Sequence, residues 1–140
     1  MRSIKGVTGI VILAGAALWA QSGTSVWDGV YSEAQAKSGA GLYAQQCASC
    51  HGEKLEGRGQ APPLAGAEFT MGWSGMTLGD LFEKIQSSMP GDRPGSLMPE
   101  QNAAILAYML SANKFPAGSA SLPGDADKLR PIRFEAAKTK

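Results

Sequence analysis

The sequence predicts an all-α fold of three to four short helices joined by long loops. Two capping signals mark helix starts, apolar residues at helical spacing follow the second of them, and no stretch reads as a clear strand. The intervals between them are rich in glycine and proline. At 140 residues, 44% of them hydrophobic, the chain fits one small domain.

Met1-Arg2-Ser3-Ile4-Lys5, the apolar run Val7 to Ala20 and then Gln21-Ser22-Gly23 have the layout of a signal peptide, taken as residues 1–24. An uncleaved anchor is the alternative, because Leu18 at position −3 makes a cut after Ala20 acceptable and not ideal. Without Arg2 and Lys5, the thirteen basic residues fall to eleven against twelve acidic ones. That balance implies no nucleic-acid partner. Membrane contact follows only if the N-terminal segment is kept.

Ser32-Glu33-Ala34-Gln35 matches a capping box and starts a first helix that runs into Cys47. Gly39 and Gly41 each cost about 1 kcal/mol relative to alanine there, so another backbone is expected close by. Glu53 to Gly75 has no sustained period and reads as a long loop anchored by Leu64, Phe69 and Trp73. So long a loop is unusual unless it wraps something.

Thr77-Leu78-Gly79-Asp80 is a second capping signal, and Leu78, Leu81, Phe82 and Ile85 follow on one stripe, giving a helix that ends near Ser88. Met89-Pro90-Gly91 and Pro94-Gly95 break it. Pro99 suits the first position of a last helix, with Ala103, Leu106 and Leu110 on one side and Asn113 as its stop. The main domain is therefore expected at residues 25–115. Residues 116–140 form an extension strapped on by Leu129, Ile132 and Phe134, its end loose.

The two cysteines and the single histidine all stand in "QQCASCHG". Thiols of an exported chain end as disulfides, on metal, or alkylated by a cofactor. Structural zinc wants two separated ligand pairs and finds one. A redox dithiol wants a strand before it and a βαβ setting. Cys-x-x-Cys-His matches covalent haem attachment through Cys47 and Cys50, with His51 on the iron. A second histidine is lacking, so the sixth ligand is a methionine, something weaker, or nothing. Met89 is preferred for its irregular turn, ahead of Met98, with Met71 and Met76 behind; Met109 belongs inside the last helix.

These residues resemble the class I cytochrome c family, particularly small exported bacterial monohaem cytochromes. The resemblance spans about Ser32 to Asn113 and rests on "GAGLYAQQCASCHG", "APPLAG", "LFEKIQSSMPGDRPGSL" and "AAILAYML". It implies a cytochrome c-like fold wrapped around one haem c. It also implies that the first and last helices cross where Gly39 and Tyr43 meet Tyr108. By the same resemblance Pro62, or its rival Pro63, offers a carbonyl to the His51 ring. Met89 is then the sixth ligand, with Met98-Pro99 a second Met-Pro. Trp73 is the indole that donates to a haem propionate, or a core aromatic.

"SVWDGVYSEAQA" and "NKFPAG" look like cytochromes that accompany quinoprotein-type dehydrogenases. The function so implied is one-electron transfer in the bacterial periplasm, soluble or anchored, between a redox donor and acceptor such as a dehydrogenase and a terminal oxidase. It is not an enzyme of bond chemistry. The alternatives are a subunit docked permanently in a larger dehydrogenase, and a haem peroxidase or gas sensor with an open sixth site.

Overall fold

The computed structural model describes residues 24–139. The expected signal segment, apart from Thr24, lies outside the described residues. Six helices follow a 3-10 turn at Val26–Asp28: α1 (Glu33–Gln46), α2 (Ala48–His51), α3 (Ala67–Trp73), α4 (Leu78–Ser88), α5 (Pro99–Ala112) and α6 (Ala126–Leu129). Among the described residues there is no strand longer than an isolated bridge.

The fold is all-α, with more helices than the three or four expected. The additions are short: α2 and α6 have four residues each, too few for a periodic signal. The seven-residue α3 lies inside the stretch expected to be loop, and it starts from Gly66 with no side-chain cap to announce it. The long helices end where their sequence signals stand. Thr77 and Asp80 form the full reciprocal capping box, Pro99 opens α5, and Asn113 closes it.

At α1 only half of the expected box forms. Ser32 Oγ accepts from Gln35 N, but the Gln35 side chain turns away and pairs twice with the Leu122 backbone, at 2.9 and 2.8 Å. A carboxamide that can both donate and accept satisfies a whole peptide group, and here it fastens the C-terminal extension to α1.

α1 and α5 cross so closely at Gly39 that a Cβ there would collide with the Ala104 carbonyl. Gly41, expected to share this role, meets nothing within 4 Å. One turn along, Tyr43 and Tyr108 stack at a tilt with ring centroids 5.3 Å apart. Such a pair adds about 0.5–1.5 kcal/mol beyond its buried area.

Leu129 and Phe134 of the extension are fully buried, and Ile132 is partly so. Its backbone runs between two other segments: Val26 N–H donates to Arg133 O, Arg133 N–H to Thr24 O, and Phe134 N–H to Met76 O. Phe134 packs on Phe115 and Phe69 at 5.3 and 5.9 Å. Outside this strap the Arg130 guanidinium bridges Asp80, Glu83 and Asp127, all exposed enough that water screens much of their attraction.

Candidate functional site

α1 is capped by Cys47, whose N–H still reaches Tyr43 O at 2.9 Å, and the single turn α2 then carries Cys50 and His51. One helical turn is the spacing that presents both sulfurs and the imidazole to one side. Tyr43 locks the turn: its hydroxyl donates to Gly52 O at 2.7 Å from an almost fully buried ring. Burial first, then Cys47, Tyr108 and Glu56, raises the phenol's pKa, so it stays protonated as this bond requires.

His51 is 7% exposed, and its Nδ1 lies 2.8 Å from the Pro62 carbonyl oxygen. A carbonyl can only accept, so Nδ1 carries the proton and the Nε2 lone pair is free for a metal. Pro63 makes no such contact. Below this loop Leu55, not singled out in the sequence, is 2% exposed and pairs with Leu64 N at 2.9 Å. It anchors the turn that presents Pro62.

Burial, then the neighbouring Cys50, pushes the free Cys47 thiol up to about 11. A redox-active dithiol needs the opposite shift. Among the described residues no three His, Cys, Asp or Glu side chains converge as a metal site would need, so the zinc reading finds no ligand set there.

Cys47, Cys50 and His51 open on a cavity of about 490 Å³, within the range of cofactor pockets. Leu64, Phe69, Leu81, Ile85 and Ile105 supply apolar wall from four parts of the chain. The α4 stripe therefore faces a cofactor space as well as side chains. Periodicity alone could not separate the two.

Of the predicted site residues, Cys47, Cys50, His51, Pro62, Trp73 and Met89 all line this cavity. Met89 is the C-cap of α4, in extended conformation, with its N–H on Ile85 O. Trp73 is half-buried and ends α3. Met98 is 61% exposed at the cap of α5, and Met71 and Met76 are exposed too; none of the three lines the cavity. Met109, expected inside the last helix, is there and reaches the wall as well.

The residues fit a covalently held haem: paired sulfurs at the rim, an oriented imidazole, and an apolar enclosure. An all-α chain folded around such a motif is a c-type cytochrome domain. Residues 34–109, more than half of the chain, match the family model described as cytochrome c oxidase, cbb3-type, subunit III. The chain belongs to that family of cytochrome c domains, and its cofactor is haem c, bound through Cys47 and Cys50.

Among solved structures the chain is similar to the sulfane dehydrogenase SoxCD from Paracoccus pantotrophus. The TM-score is 0.53 and the identity 23%, over 77% of this chain and 61% of that one. The likeness is one of fold, and the chain spans under two thirds of the length of its counterpart. No curated protein matches significantly.

Proposed function

We propose that the protein is an exported one-electron carrier with His51 and Met89 as the two axial ligands of its haem, and that it catalyses no bond chemistry. The observation that carries this reading is that an imidazole with a fixed tautomer and a thioether from a separate helix cap line one cavity. When bound, haem supplies a single iron that holds or gives up one electron.

The chain's own residues determine how easily that happens. Pro62 holds the His51 ring and makes Nε2 more electron-rich. Leu81, Ile85 and Ile105 keep water away, and a dry wall penalises the more highly charged oxidised state, which raises the reduction potential. A thioether ligand favours the reduced state in the same direction. Trp73 lines the same cavity, and its indole N–H would donate to a propionate of the group.

His51 is the only histidine in the sequence, which leaves none for the acid–base work of a peroxidase. Donor and acceptor are redox proteins, with a dehydrogenase as donor and a terminal oxidase as acceptor. The work is done in the periplasm, free or held by the N-terminal segment. A dehydrogenase among the similar folds supports a second arrangement, a permanent subunit of such a complex.

Spectra of Met89→Ala and Met98→Ala test the ligand assignment. Met89→Ala should lose the weak long-wavelength band of ferric iron bound to a thioether and turn high-spin, while Met98→Ala keeps the band. The reverse pattern overturns it. Gel filtration of native extract separates the two arrangements, because a free carrier elutes its haem at the size of a small monomer.

A further inference from the structure

The loop from Met89 to Leu97 is tied mostly to itself. Its backbone bonds run from Met89 N–H to Ile85 O, Arg93 N–H to Pro90 O, Gly95 N–H to Met89 O and Ser96 N–H to Arg93 O. Among the described residues one polar side-chain bond leaves it for the haem-attachment segment: Arg93 Nη2 donates to Gln46 Oε1 at 3.1 Å. Gln46 is the last residue of α1, directly before Cys47. Both residues line the cavity.

Arg93 Nε also pairs with Asp92 on its own loop at 3.3 Å, so the guanidinium is held from both sides. Its planar fork suits two acceptors at once, which a lysine's single ammonium does less well. We propose that Arg93 and Gln46 form a latch across the cavity, and that Arg93 is a positioning residue for Met89. The latch sets how often the loop swings out and admits an outside ligand to the iron.

This inference rests on Met89 being the sixth ligand. The side chain of Arg93 is half exposed. A hydrogen bond in such a place changes the opening equilibrium by about two- to tenfold, enough to gate exchange without deciding whether the protein folds.

The test is imidazole binding to the oxidised holoprotein, followed by stopped flow up to concentrations where the rate levels off at the loop's opening rate. Arg93→Ala and Gln46→Ala should each raise that plateau about two- to tenfold. The double variant should go no further than the faster single one, and Arg93→Lys should fall between Arg93→Ala and wild type. Thr77→Ala, which weakens the cap of α4 away from the latch, should leave the plateau unchanged.

Wild-type plateaus in both single variants, effects that multiply in the double variant, or equal acceleration by Thr77→Ala would each overturn the latch. A wild-type protein with no thioether band and no plateau shows instead that the Met89 assignment has failed, and the latch with it. Band and plateau intact with unmoved variants defeat the latch alone.

Discussion

The His51 and Met89 parts of the cavity wall share one space but are held by different kinds of bond. Around His51 the ties are short in sequence and buried or partly so: Tyr43 to Gly52 is buried, His51 to Pro62 is part-buried, and Leu64 bonds the buried Leu55. Around Met89 the loop leans on its own turns and on a half-exposed arginine. A buried bond with no water to replace it is expensive to break, whereas a solvent-facing one is exchanged readily. On the proposed ligand set the motif side would be the fixed half of the site, and the methionine side the half that opens.

The largest effect should come from removing what joins the halves. A Cys47→Ala/Cys50→Ala chain made without haem loses the filling of its cavity, and a domain this small has little stability to spare. We expect no cooperative thermal transition by circular dichroism; a sharp one with native helix content would show that the walls stand without the cofactor. Next comes Met89→Ala, whose spectral loss should leave the fold in place. That would make the Met89 half dispensable for folding.

Gly39→Val acts on the motif side through the crossing of α1 and α5, where no side chain fits. Overpacking there should cost about 1–3 kcal/mol in urea unfolding, or more if the helices separate. Tyr43→Phe leaves the Gly52 carbonyl without its buried donor and should cost about 1–3 kcal/mol. A smaller loss for Tyr43→Phe than for Arg93→Ala, whose half-exposed bond to Gln46 is worth about 0.5–1.5 kcal/mol, would break the contrast between a rigid and a loose half.

The smallest effect is one of pH. Hydrogen bonds from Thr77, its side chain and then its backbone, hold the Asp80 carboxyl below its usual range, with Arg130 adding to the pull. A depressed folded-state pKa means that the ionised group stabilises the fold above its unfolded value of about 3.9 and loses that contribution as pH falls through the folded value. Asp80→Asn should therefore be less stable than wild type at neutral pH, and the gap should close below the carboxylate range. A gap that persists there assigns the effect to lost packing.

The motif half was legible because its chemistry is local. Cys47, Cys50, His51 and the turn between them are neighbours in the chain, whereas the Tyr43–Tyr108 crossing followed only from the family resemblance, its two rings being far apart in sequence. Pro62 could be separated from Pro63 only in three dimensions, since adjacent carbonyls point in different directions. Among the methionines, sequence grounds put Met98 second, yet Met98 faces solvent while Met109 reaches the wall. Which side of a helix meets a cavity depends on how its neighbours pack, and no single-chain periodicity contains that. α3 and the Gln35–Leu122 pairing were illegible for a related reason: a glycine-started turn and a side chain gripping a distant peptide leave no local pattern.

The strap carries a consequence for how the molecule can be cut. Thr24 and Val26 bond Arg133, and Phe134 rests on the same Phe69 that lines the cavity, so the two ends of the described chain are one mutually supporting patch. Trimming either end strips partners from the other and then uncovers the back of Phe69. A protease that nicks the extension near its exposed Lys128 therefore acts on the entry of the chain as well, and damage begun more than a hundred residues from Thr24 arrives beside it.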